Sequence, residues 1–183
     1  MLPHLLSAAA AGTGAAGAGD IGGFTVHVHA VNLTAYRWVL LAHSAWRWVV
    51  LVSGATAVVS PMLRLSSGQP WAPTGPRVGR FFSISVDIQV LMGAALYLVL
   101  SPITTIVAQT AVMRLPHNSQ AFFFIVQHPS MMIAAFLAVH IASVVARRGA
   151  SDAARQRRAL IGYGITLLII LGGIPWFRPL LRF

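Results

Sequence analysis

Four long apolar segments, separated by shorter polar stretches, constrain this chain more than any other feature of its sequence. They cover residues 37–61, 82–106, 121–146 and 159–180. A helix needs about 20 mostly apolar residues to cross the hydrocarbon core of a bilayer. Each segment reaches that length, so we predict an all-α fold in which residues 37–183 form a bundle of four transmembrane helices.

The composition agrees with a membrane protein and excludes several classes of function. Only 9% of the residues are charged and 57% are hydrophobic, whereas soluble domains carry about 25% charged residues. The chain has no cysteine, which excludes thiolate metal sites and covalently attached haem. It also has no glutamate, no P-loop and no H-E-x-x-H motif, so hydrolytic catalysis is not predicted.

The distribution of the arginines predicts an orientation in the membrane. The net charge is +10, but no basic face interleaved with aromatic residues appears, so the lipid bilayer and not a nucleic acid is the expected partner. Eight arginines lie in the first and third loops, and four lie on the opposite side of the membrane: Arg37, Arg114, Arg178 and Arg182. By the positive-inside rule these loops are cytoplasmic, and both termini lie outside a bacterial inner membrane. The eight are Arg64, Arg77, Arg80, Arg147, Arg148, Arg155, Arg157 and Arg158.

Residues 1–36 differ in composition from the rest of the chain and are rich in alanine and glycine. We predict that they form a disordered low-complexity tail. Residues 12–17 match G-x-G-x-x-G, but no apolar strand precedes them and no βαβ unit follows, so no dinucleotide site is predicted. His27 and His29 lie on one side of an alternating stretch. Two ligands are too few to distinguish a metal site from an ordinary surface segment.

Six polar residues interrupt the apolar segments, and an ionisable group at that depth costs roughly 3 kcal/mol or more unless it faces a protein interior. A helix rise of 1.5 Å per residue converts position to depth. The outer layer is predicted to hold His43 and His128, with Arg47 just below. The inner layer is predicted to hold three further residues: Asp87, Gln89 and His140.

Two imidazoles from separate helices at one depth are the arrangement that ligates the iron of a b-type haem. His43 and His128 are therefore the candidate metal ligands, and Arg47 suits a haem propionate or an anionic quinone. The alternative is that the histidines hydrogen-bond across helices and that Arg47 forms a buried ion pair with Asp87. The alanines and methionines on the face of His128 favour a cofactor slot and close helix packing equally.

Asp87 and His140 form a second candidate group in the inner layer. Chains of carboxylates and histidines serve as proton relays or as contacts for quinone head groups in membranes. The alternative is a neutralising pair that makes both side chains tolerable at that depth.

Several motifs resemble small bacterial four-helix membrane proteins that are often described as cytochrome-b-like. The similar elements are H-S-A-W-R-W at 43–48, I-Q-V-L-M-G at 88–93, Q-H at 127–128 and I-P-W at 174–176. The resemblance implies a four-helix integral membrane domain with four matched polar positions. Asp87 stands where that family has a histidine, and Gln127 replaces an acidic residue. The matched positions are His43, Arg47, Gln89 and His128.

The resulting expectation is an integral membrane electron-transfer protein with haem b between His43 and His128. Its electron partner would be quinol or another membrane redox protein. The alternative is a cofactor-free accessory or assembly subunit of a larger membrane complex. The sequence leaves open whether the protein is an enzyme.

Overall fold

The computed structural model of the protein describes residues 20–21, 24–25, 33–100 and 119–177. In an N-terminal unit that covers residues 1–30, strand β1 (Asp20–Ile21) pairs antiparallel with β2 (Phe24–Thr25). His27, His29 and the glycine-rich motif at 12–17 lie outside the described residues.

Residues 31–183 form the second unit. Its described part, residues 33–100 and 119–177, contains four long helices and confirms the predicted all-α fold. The helices α1 (Leu33–Ser66), α2 (Gly75–Leu100) and α3 (Gln120–Arg147) are long and apolar enough to cross a membrane. The fourth, α4 (Asp152–Gly173), begins with two arginine-bearing turns before its apolar part starts at Ala159. The described chain is therefore compatible with a multi-pass membrane protein.

The helices extend beyond the predicted apolar segments where polar residues continue them. The predicted start of the second span at residue 82 is wrong, because α2 begins at Gly75 with Pro76 in its first turn. Proline suits the first turn, where its missing N–H is not needed. The last helix ends at Gly173 instead of residue 180, since Ile174 is extended and the residue before a proline disfavours helical backbone.

Two of the helices contain wider, π-helical turns, at Leu96–Leu100 in α2 and Phe123–Gln127 in α3. The second turn ends two residues before Pro129, which has no N–H to offer the carbonyl four residues earlier. That carbonyl belongs to Ile125, and the hydroxyl of Tyr97 in the first π-helical turn donates to it at 2.9 Å. The two irregular turns are thus bonded to each other.

Buried side chains from all four helices form the core, with Phe82 and Val139 fully buried. Helices α3 and α4 approach closely, because a Cβ on Gly162 would lie 2.6 Å from the Cβ of Ala142. The outer surface carries many large apolar side chains, as expected in lipid. Highly exposed examples are Leu91, Leu98 and Leu168.

One fully buried amide joins the loop after α1 to the start of α4, at the arginine-rich end of the bundle. The Nε2 of Gln156 in α4 donates to the carbonyl oxygen of Gln69 at 2.8 Å, and Gln156 is 1% exposed. The loop after α1 and the start of α4 are therefore held side by side.

Candidate functional site

The imidazoles of His43 in α1 and His128 in α3 face each other inside the bundle. Their ring centroids are 6.3 Å apart and their planes are inclined by 78°. The sequence placed these two residues at the same depth on different helices, and the structure brings their rings together.

A cavity of about 100 Å³ adjoins the two rings and is bounded by all four helices. Arg47 and Gln89 also border it, so the four residues matched by the family resemblance surround one space. The remainder of the lining is mainly apolar, which suits a cofactor with a large hydrophobic surface. Typical apolar lining residues are Leu40, Val90, Phe124, Met132 and Ile170.

The orientation of His128 is fixed by the end of α4. Its Nδ1 lies 2.7 Å from the carbonyl oxygen of Gly173, one of the last carbonyls of a helix, which have no partner within the helix. A carbonyl only accepts, so the proton is on Nδ1 and the lone pair is on Nε2. The rings of Phe123 and Phe124 lie 5.9 and 6.3 Å from the imidazole.

His43 is held by the side-chain amide of Gln89. The Nε2 of Gln89 donates to the backbone oxygen of His43 at 3.1 Å and lies 3.2 Å from its ring Nε2. Because an amide nitrogen only donates, the ring Nε2 is the acceptor in this arrangement. Among the described residues, the buried Nδ1 of His43 and Oε1 of Gln89 have no hydrogen-bond partner.

The predicted inner-layer position of Gln89 is wrong, since its side chain bonds to His43. The early start of α2 at Gly75 places Gln89 near the middle of a helix that ends at Leu100. Gly93, one turn further along, gives the ring room, because a Cβ there would lie 3.2 Å from the Cε1 of His43.

Asp87 and His140 pair with each other, as the sequence suggested, but they do so away from the cavity. Oδ1 of Asp87 is 2.9 Å from Nε2 of His140, and the side chains are 41% and 44% exposed. The ring of Phe136 lies 4.6 Å from that of His140. Asp87 therefore bonds to His140 rather than to Arg47, the alternative ion pair that the sequence left open.

Sequence reasoning missed three hydrogen bonds that connect the helices around the site. They are the bond from Trp46 Nε1 to the Ser85 carbonyl at 3.0 Å, and those from Tyr97 and His128 to backbone oxygens. Each acceptor is a backbone carbonyl on another helix, so no side-chain pattern reveals it. Only Pro129 gave a signal, because it leaves the carbonyl of Ile125 without its usual donor.

Comparisons with family models, with curated proteins and with solved structures find no match to this chain. The resemblance to cytochrome-b-like membrane proteins therefore depends on the sequence motifs alone. Within the described ranges, no three side chains of histidine, cysteine, aspartate or glutamate are grouped to hold a metal ion. A haem iron needs only axial ligands from the protein, so two histidines suffice.

Proposed function

We propose that the protein is an integral membrane electron carrier that holds one b-type haem between His43 and His128. The observation that carries this proposal is the facing pair of imidazoles, 6.3 Å apart, from two different helices. The haem iron, when bound, would supply one-electron redox chemistry, and quinol or another membrane redox protein would exchange electrons with it.

The spacing of the rings fits axial ligation. With ring centres 6.3 Å apart, His43 and His128 would both be able to hold one iron, because a metal–nitrogen bond spans about 2 Å. The environment of His128 fits as well. Metal-binding histidines usually donate their other ring N–H to a carbonyl or carboxylate, and Nδ1 of His128 does so toward Gly173.

Two neighbours of the pair must adjust for a macrocycle to bind. Gln89 must release Nε2 of His43, because one lone pair does not serve both an amide and a metal. The cavity of about 100 Å³ is smaller than the roughly 300 Å³ at which ligand pockets begin. Met132 borders it, and the flexible thioether chain of methionine moves aside at little cost.

Arg47 has the position to balance a negative charge at this site. It borders the cavity together with both histidines and lies one helical turn from His43, on the same face of α1. Its guanidinium would bind a haem propionate or an anionic quinone through two parallel hydrogen bonds. Gln89 would then act as a positioning residue for His43 through the backbone oxygen to which it donates.

We further propose four spans in a bacterial inner membrane, with both termini outside and α4 as the fourth span. The loop after α1 and the start of α4 lie side by side through Gln156 and Gln69, so their arginines collect at one end of the bundle. At the opposite end, Trp176 and Phe177 are exposed, as aromatic residues are at the membrane interface.

The haem proposal is tested on the full chain purified from cells supplied with excess haem. We expect a Soret band that shifts on reduction with dithionite and is lost in His43→Ala and in His128→Ala. The matched control is His140→Leu, which removes a histidine of α3 that does not border the cavity and should keep the band. A colourless wild-type protein, or a band unaffected by both alanine variants, would contradict the proposal.

A second candidate function, a cofactor-free accessory subunit, is favoured by one observation. Gln89 engages both the ring and the backbone oxygen of His43, which is how polar residues specify helix packing without a ligand. For such a subunit, His43→Leu would lower thermal stability while the purified protein has no visible absorption in any variant. Absorption in the wild type therefore separates the two functions.

A further inference from the structure

The Asp87–His140 pair lies on the outside of the bundle, at the seam between α2 and α3. Both side chains are more than 40% exposed, although they lie within helices that we treat as membrane spans. Intramembrane ionisable residues almost always face a protein interior or a water-filled cavity. Their neighbours on this face are large and apolar: Ile84, Leu91, Leu137 and Ile141 are 46%, 71%, 54% and 62% exposed.

The pair retains unused hydrogen-bonding capacity toward the outside. Nε2 of His140 and Oδ1 of Asp87 bond to each other. Among the described residues, Nδ1 of His140 and Oδ2 of Asp87 have no hydrogen-bond partner. An imidazolium has two N–H donors, and a carboxylate has two acceptor oxygens. The face therefore offers one further donor next to one further acceptor, and acyl chains match neither.

The arrangement of this donor and acceptor is self-complementary under twofold symmetry. Helices α2 and α3 are antiparallel neighbours, since residue 87 meets 140 and residue 97 meets 125. A twofold axis along the membrane normal, placed just outside this face, leaves the depth of every residue unchanged. It places α2 of the second copy opposite α3 of the first, and α3 of the second copy opposite α2 of the first. It brings Asp87 of a second copy opposite His140 of the first, and His140 of the second opposite Asp87 of the first.

We propose that a second copy of this chain docks on this face, so that the protein is a twofold symmetric dimer. Each His140 donates through Nδ1 to Asp87 of the other copy, while the bond within each copy is kept. The four groups form a closed ring of hydrogen bonds with no net charge. Such an isologous contact is the commonest form of oligomer, and copies inserted by the same orientation rule point the same way.

The absence of cysteine from the chain makes a direct cross-linking test possible in native membranes. Leu91 in α2 and Leu137 in α3 lie one turn along from Asp87 and His140 on the same side, so the proposed axis brings Leu91 of one copy near Leu137 of the other. Two differently tagged full-length copies are expressed together, one carrying Leu91→Cys and the other Leu137→Cys. We expect oxidation to produce a covalent dimer that contains both tags.

The matched control places the cysteines on the other two helices. Val52→Cys in α1 and Leu168→Cys in α4 are similarly exposed, at 65% and 69% in the wild type, and should not form the dimer. Equal cross-linking of the test and control pairs would overturn the proposal, because it would indicate random collisions in the membrane. Cross-linking of either test cysteine only to a different polypeptide would also overturn it.

Variants of the polar pair test its part in the contact. Asp87→Leu removes the acceptor, so the dimer should be lost and the purified protein should elute as a monomer. The exchange Asp87→His with His140→Asp keeps one donor beside one acceptor and should restore the dimer. Thermal unfolding of each variant establishes that it is folded.

The remaining outcomes decide against the dimer. A folded wild type that is monomeric both in membranes and in mild detergent would overturn it. So would a monomer that binds decylubiquinone in a manner that depends on Asp87 and His140, since the occupant of the face would then be a quinone. This proposal does not depend on haem, and a colourless protein leaves its test unchanged.

Discussion

The hydroxyl of Tyr97 in α2 donates to the carbonyl oxygen of Ile125 in α3 at 2.9 Å. Pro129 has no N–H for that carbonyl, so a side chain from the neighbouring helix supplies the donor. This bond joins two π-helical turns, and the second of them leads directly into His128. The position of a candidate ligand thus depends on a tyrosine in another helix.

We expect Tyr97→Phe to lower the free energy of unfolding by about 1 kcal/mol, the usual net value of one hydrogen bond. Tyr36→Phe is the matched control, because no bond of the Tyr36 hydroxyl is present in the described part of the chain. Thermal unfolding in detergent measures both variants. Equal losses for the two would show that the bond to Ile125 contributes nothing.

Pro129→Ala should reduce the effect of Tyr97→Phe, because alanine restores an N–H within reach of the Ile125 carbonyl. The double variant Tyr97→Phe with Pro129→Ala should therefore be more stable than the sum of the two single changes predicts. Such coupling is what a double-mutant cycle measures. If the stability changes of the two variants are strictly additive, Pro129 and Tyr97 do not act through the same carbonyl.

A methyl group on Gly93 should loosen His43. The Cβ would lie 3.2 Å from Cε1 of the ring, and a shift of the ring away from it disturbs the contact between its Nε2 and Gln89. We expect Gly93→Ala to lower the midpoint of thermal unfolding despite the better helix propensity of alanine. If haem is bound, the same variant should lower its occupancy, measured as Soret absorbance per protein.

Gly164→Ala is the control for this crowding. A Cβ at Gly164 meets no atom within 4 Å, so only helix propensity changes, by up to about 1 kcal/mol in favour of alanine. The two substitutions should shift the midpoint in opposite directions. A shift of the same sign and size in both would remove the steric argument for Gly93.

The proposed orientation is tested by single cysteines in exposed positions at the two ends of the bundle. Ser67→Cys and Ala150→Cys lie in the loops at the arginine-rich end, and Trp176→Cys lies at the other end. In intact cells, a membrane-impermeant maleimide should label only Trp176→Cys, and permeabilisation should expose the other two. Labelling of the loop cysteines in intact cells would reverse the topology.

The four helices could be predicted because a long apolar segment is enough to indicate each one. The ends of the helices depend on residues outside the apolar segments. The start of α2 at Gly75 is one example, since Pro76 extends the helix well before the apolar part begins. Because the helix begins earlier than the predicted segment, the predicted depth of Gln89 was wrong. The pairings of His43 with His128 and of Asp87 with His140 were predicted from matching depth, which follows from the position of each residue along its own span.

What the sequence did not reveal were contacts to backbone atoms of other helices. The carbonyl of Gly173, which accepts from His128, has no side chain to identify it. Its availability comes from being at a helix end, and that end was predicted several residues too late. The exposure of Asp87 and His140 was also unexpected, because depth does not determine which side of a helix pair faces lipid.

The bond between His128 and Gly173 means that the last turn of α4 determines the orientation of the imidazole. The indole of Trp176 folds back and donates to the carbonyl of Leu171 at 2.9 Å. An exposed aromatic side chain is therefore hydrogen-bonded to the same turn. A change at the exposed Trp176 therefore acts on the same helix end whose Gly173 carbonyl orients the imidazole of His128.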